Sequence, residues 1–91
     1  MKKSVRMIIM GSVQGVFFRE FIREGAINLK VKGFTKNLPN GGVEVFLEGN
    51  IDSVDKMISL CKTGPRLAQV RDVAAREERF RGFKDFRILD A

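Results

Sequence analysis

Apolar and polar residues alternate with period two across "SVRMIIMGSV", placing Val5, Met7 and Ile9 on one face and Arg6, Ile8 and Met10 on the other. Both faces are largely apolar, so this stretch reads as a mostly buried central strand. The period then changes to that of a helix. Phe18, Phe21, Ile22, Ala26 and Leu29 form one apolar stripe, while Arg19, Glu20, Arg23, Glu24 and Asn28 occupy the opposite face. "VKGFTKNL" and "GVEVFLEG" are short strands joined by "PNGG", where Pro39 stops pairing and Asn40, Gly41 and Gly42 accept positive φ. A second helix carries a stripe of Val54, Met57, Ile58 and Cys61, with Asn50 at its N-cap and Asp52 and Asp55 near its positive end. "TGP" closes it, Gly64 serving as a left-handed cap with Pro65 just beyond. "AQVRDVAARE" is a fourth strand whose Val70 and Val73 are out of phase by one, which predicts a bulge near Arg71–Asp72. In "FKDFRIL", Phe86 and Ile88 alternate with charged or exposed positions, as in a short fifth strand.

The order β-α-β-β-α-β plus an extra strand predicts a ferredoxin-like α+β fold: an antiparallel sheet of four to five strands with two helices on one face. No repeat, linker or low-complexity segment interrupts it, so residues 1–91 form a single domain with one modest core. A chain of this size buries roughly 60–65% of its unfolded surface. Hydrophobic residues at 44% and charged residues at 31% match an ordinary soluble globular protein. The apolar runs are too short to span a bilayer and no secretory signal opens the chain, so a cytoplasmic location with no membrane contact is expected.

One cysteine, Cys61, fits a reducing compartment, and its place in an apolar stripe makes it a small core hydrophobe. Histidine is absent, which removes the commonest general base and the most frequent zinc ligand together. The net charge of +6 favours anionic partners, whether nucleic acid, lipid headgroups or phosphorylated metabolites, or serves solubility alone.

Candidate chemistry lies at "GSVQGVFFRE", residues 11–20, where strand becomes helix. The first amides of a helix lack intrahelical partners, and the helix dipole there favours negative charge. Gly11 and Gly15 permit a loop that turns several amides toward one point. Arg19, in the first helical turn and away from the core stripe, can close its fork on two phosphate oxygens. The spacing lacks both the dinucleotide and the nucleoside-triphosphate fingerprints, so by itself it also suits a plain turn beside a solvated arginine. In "GFTKN", Asn37 stands where it can approach a bound anion. A carboxamide accepts a proton from water while remaining neutral, whereas aspartate there would be repelled by a phosphate dianion. Backbone capping is the ordinary role of an asparagine near a turn.

Taken together, "GSVQGVFFR", "GFTKN", "GGVEV", "GP" at Gly64–Pro65 and the terminal "FKDFRI" resemble the acylphosphatase family, whose pattern is G-x-V-Q-G-V-x-F-R, then G-[WF]-x-x-N, then a glycine turn and G-x-V-E. The resemblance covers nearly the whole chain. It implies hydrolysis of carboxyl phosphates to carboxylate and inorganic phosphate, with no metal and no cofactor. It implies that phosphate, or sulfate in its place, is bound by Arg19 and the loop of Gln14, Gly15, Val16, Phe17 and Phe18, and that Asn37 positions the attacking water. The chain is expected to be complete, free-standing and monomeric, acting on a small-molecule acyl phosphate without nucleic acid.

Two positions depart from the family pattern. Lys30 stands where glycine is common; a left-handed helix end there would cost about 1 kcal/mol relative to glycine. Phe34 replaces the commoner tryptophan, and Phe17 occupies a variable position. Among other polar groups, Glu44 and Glu48 share a strand face with Phe46 and read as solvated or cross-strand paired carboxylates. Arg76, Glu77, Glu78 and Arg79 read as an exposed strand end. A competing reading is an RNA-binding module, since that topology serves such domains and "KGF" at Lys32–Phe34 begins like their aromatic strand. It fails at "TKN", where further aromatic and apolar residues are required, and neither Tyr nor Trp is available for stacking.

Overall fold

The computed structural model describes residues 1–90. Its elements are β1 (Lys2–Ser12), α1 (Phe18–Leu29), β2 (Lys32–Asn37), β3 (Val43–Asn50), α2 (Ile51–Thr63), β4 (Gln69–Glu77) and β5 (Phe86–Leu89). The strands form one sheet in the order β4-β1-β3-β2-β5. Four of them pair antiparallel, as the ferredoxin-like pattern predicts, but β5 runs parallel to β2, with Gly33 opposite Phe86 and Thr35 opposite Ile88. The sheet is therefore mixed rather than wholly antiparallel. β4 enters the sheet beside β1, and the segment after it crosses the sheet to the far edge, so β5 arrives in β2's own direction.

Val5, Met7 and Ile9 stand opposite Leu47, Val45 and Val43, and all six are buried on one face. Phe18, Ile22 and Ala26 of α1 and Val54, Met57 and Cys61 of α2 join the same cluster, so both helices cover that face. The bulge lies where expected: Met10 pairs Asp72 and Gly11 pairs Val70, leaving Arg71 as the extra residue. At α1's end Lys30 is left-handed (φ 59°, ψ 35°), and the N–H of Val31 donates to the Ala26 carbonyl at 2.8 Å. Lysine thus holds the conformation that glycine adopts without steric cost.

Three local expectations are corrected. Asn50 occupies the N-cap of α2 but its side chain caps nothing; the Ile51 N–H donates to the Met1 carbonyl at 3.0 Å. Gly64 has φ 74° with ψ 176°, so it is not a left-handed helical cap, although its N–H donates to Leu60 O. In the β2–β3 turn only Gly41 takes positive φ, while Asn40 accepts from the Gly42 N–H through its side chain.

The second sheet face is also covered, by the segment between β4 and β5. Phe34 and Phe46 stack with centroids 6.0 Å apart, Phe83 closes over both, and the Arg81 guanidinium lies 4.5 Å from the Phe46 centroid. Glu44 is paired across strands with Arg6 at 2.6 Å and Lys36 at 3.7 Å. Glu48 is neither solvated nor paired with a cation: it is 1% exposed and accepts from the backbone N–H of Arg81 at 2.8 Å and of Phe83 at 2.5 Å. It pins the covering segment to the sheet.

Candidate active site

β1 delivers the chain to the N-terminus of α1 through residues 13–17, and packing fixes both ends of this loop. Val13 and Phe18 are buried at 1% and 2% exposure, and Val16 packs against the core between them. The intervening backbone alternates in the sign of φ: Gly15 is at 72° and Phe17 at 61°, while Val16 and Phe18 are negative. Such alternation turns successive N–H groups toward one side, the geometry of an anion nest. A Cβ on Gly15 would meet nothing within 4 Å, so glycine there serves the backbone conformation rather than close packing. Phe17, by contrast, is a left-handed aromatic whose side chain is 73% exposed.

The loop and the first turn of α1 wall a small cavity of about 170 Å³ lined by Val13, Gly15, Phe17, Phe18, Arg19, Glu20 and Asn37. Arg19 is half-buried at its edge and forms no ion pair among the described residues. Asn37 is the last residue of β2, directly opposite Val43, which in turn stands opposite Ile9. That row lies on the helix-covered face, which is why Asn37 comes under the loop although β3 separates β2 from β1. Its Oδ1 is the buried side-chain polar atom that lacks a hydrogen-bond partner among the described residues. A buried acceptor left unpaired costs roughly 1–3 kcal/mol, so such an atom calls for a donor from outside the protein.

The structure thus brings together Gly15, Phe17, Phe18, Arg19 and Asn37 of the residues singled out in the sequence. Gln14 and Val16 do not line the cavity. Val16 is turned to the core, and Gln14 reaches away, its Nε2 donating to the carbonyls of Leu38 and Gly42 at 2.8 Å each. Sequence reasoning missed Glu20 on the cavity wall, because its place on the polar helix face carries no signal that sets it apart from Glu24. Among the described residues no three of His, Cys, Asp and Glu gather at one place, and no helix is long and apolar enough to cross a membrane. Phe34 is 9% exposed beneath its aromatic neighbours, so it offers no face for stacking a nucleobase.

Fold and cavity together define a ferredoxin-like α+β sandwich with a polar hollow at its first strand–helix junction. The acylphosphatase family model matches residues 5–88. An acylphosphatase from Syntrophus aciditrophicus is 44% identical over 90 residues, covering 98% of this chain and 94% of that protein. The structure of an acylphosphatase from Coxiella burnetii superposes with a TM-score of 0.93 at 35% identity, covering 97% of this chain and 93% of that one. The acylphosphatase from Bacillus subtilis gives 0.92 at 33% identity, covering 98% and 99% of the two chains. The chain belongs to the acylphosphatase family of hydrolases.

Proposed function

We propose that this protein hydrolyses the carboxyl–phosphate bond of small acyl phosphates by direct attack of water on phosphorus. The observation that carries the reading is Asn37, which lines the same small cavity as Gly15, Phe17, Phe18 and Arg19 and whose buried Oδ1 has no hydrogen-bond partner among the described residues. An acyl phosphate leaves as a carboxylate whose acid has a pKa of roughly 4, on the scale of side-chain carboxyls. It departs without being protonated, so no general acid is required, in keeping with a chain that has no histidine. In a loose phosphoryl-transfer transition state the protein's work is positioning and charge stabilisation. The loop amides and the Arg19 guanidinium hold the phosphoryl oxygens, and Asn37 Oδ1 accepts a hydrogen bond from the attacking water. The cavity's size suits a phosphoryl group and leaves the acyl portion outside, which favours broad acceptance of acyl groups.

The test is turnover of benzoyl phosphate with a chelator present. Arg19→Ala should lose more than the roughly 10²–10³-fold typical of one oxyanion donor, because it removes both binding and transition-state charge stabilisation. Asn37→Ala should lower kcat strongly and leave inhibition by inorganic phosphate nearly unchanged. An equal loss of phosphate binding in both variants would contradict this division of roles, and wild-type protein inert toward benzoyl phosphate would end the reading. As part of the same reading the enzyme acts as a monomer in the cytoplasm, a reducing compartment that its lone, buried thiol suits.

A further inference from the structure

We infer that Gln14 is a positioning residue that sets the separation between the anion cradle and Asn37, and through Asn37 the place of the attacking water; this rests on the function proposed above. The cradle and Asn37 belong to different elements. Asn37 pairs with Val43 of β3, and Val43 pairs with Ile9 of β1, so two strand spacings, about 9–10 Å, separate their rows. No backbone bond joins β2 to β1. Some contact must fix how far the loop extends across β3, and the Gln14 carboxamide spans that gap.

Its two bonds are not there to complete the turn. The Gly42 carbonyl already accepts from the Leu38 N–H at 2.8 Å, and the Leu38 carbonyl accepts from the Gly41 N–H at 3.1 Å. Each carbonyl has a second lone pair, and Gln14 Nε2 takes both of these spare sites at 2.8 Å. The two N–H bonds of a primary amide diverge in a fixed plane, so both are satisfied at only one placement of the loop against the turn. The link joins the residue immediately before Gly15 to the residue immediately after Asn37. It therefore couples the start of the cradle to the water-positioning side chain, one peptide unit from each. With its donors committed in this way, the Gln14 side chain has none left for the anion.

The experiment compares wild type, Gln14→Ala, Gln14→Glu, Asn37→Ala and the Gln14→Ala/Asn37→Ala pair, each first checked for a native amide spectrum. In Gln14→Ala the kcat for benzoyl phosphate should fall roughly 10–100-fold, the scale of an ångström-sized misplacement, while inhibition by inorganic phosphate changes little. In the Asn37→Ala background the same change should cost no further turnover, because the group it positions is gone. Gln14→Glu keeps the shape but sets a carboxylate against two carbonyls, and should fall at least as far as alanine. Losses that multiply in the double variant, or phosphate affinity that falls in step with kcat, would overturn the inference.

A binding readout keeps the inference testable apart from turnover. Addition of inorganic phosphate to wild type should shift the amides of residues 15–19 and those of Leu38, Asn40, Gly41 and Gly42 together. In Gln14→Ala the first set should respond and the second should not. A response of both sets in Gln14→Ala would refute the coupling even if the wild type hydrolysed nothing, an outcome that would separately defeat the proposed function.

Discussion

Replacing Glu48 by alanine should be among the most damaging single changes outside the cavity. Its carboxylate is 1% exposed and accepts two backbone N–H bonds, from Arg81 at 2.8 Å and Phe83 at 2.5 Å, with the Ser4 hydroxyl at 3.4 Å. A hydrogen bond to a charged acceptor contributes roughly 1.5–3 kcal/mol. The two amides are only partly buried and recover some water, so the net loss is about 3 kcal/mol rather than the sum of the two maxima. A domain of this length holds about 5–14 kcal/mol in all. With an m-value of roughly 1–1.5 kcal/mol per molar urea, the midpoint should fall by about 2–3 M. Because the carboxylate anchors the segment that carries Phe83 and Arg81 over Phe46, the Arg81 and Phe83 amides should also exchange with solvent much faster than in wild type. Glu48→Gln, which keeps one acceptor oxygen but turns an NH₂ group toward a donor, should lie between. An alanine variant as stable as wild type would show that desolvating the carboxylate cancels its hydrogen bonds, and the anchoring role would be refuted.

Burial pushes the Cys61 thiol up to about 12. An unfolded thiol ionises near pH 8.5–9, so the folded state is fully favoured below that and loses stability as pH rises toward about 12. The loss approaches about 4 kcal/mol at the upper end, and Cys61→Val should flatten this alkaline decline in urea midpoints measured from pH 8 to 11. Lys30→Gly removes the steric cost of a left-handed lysine and should raise stability by about 1 kcal/mol, or roughly 4–8 °C in Tm. A lower Tm would mean that the lysine makes a compensating contact. The Lys3 ammonium is raised by its 2.8 Å hydrogen bond to Asp55, so this pairing favours the fold below the ordinary lysine range and fades as pH climbs through the raised value. Asp55 is exposed and Lys3 partly so, and added salt should therefore weaken the effect of Asp55→Asn on urea midpoints.

Much of the fold was legible because burial imposes a period on each element. The alternation through Val5, Met7 and Ile9, and the stripe from Phe18 to Leu29, needed no tertiary information, since each face answers only to water or core. The phase slip between Val70 and Val73 disclosed the bulge for the same reason. Arg19 and Asn37 were singled out by the resemblance that "GSVQGVFFR" and "GFTKN" carry, since spacing alone left a plain turn and a backbone cap open, and the structure places both on the wall of one cavity.

What the sequence could not disclose depended on contacts between distant segments. A carboxylate on a strand face reads as solvated, and Glu48 became buried only because the chain between β4 and β5 folds across the second face of the sheet. β5 was expected in an antiparallel sheet, but a short alternating strand satisfies a parallel or an antiparallel neighbour equally well, and the path of the crossing segment made it parallel. Asn50 was expected to cap α2, yet its side chain makes no capping bond, while the Ile51 N–H is taken by the Met1 carbonyl from the far end of the chain. The resemblance grouped Gln14 with the loop through its amide, and nothing in the sequence foretold that its side chain would bond Leu38 and Gly42. Periodicity records whether a residue faces water or core, a one-body property. Which donor meets which acceptor is a two-body property, and only the closed tertiary structure decides it.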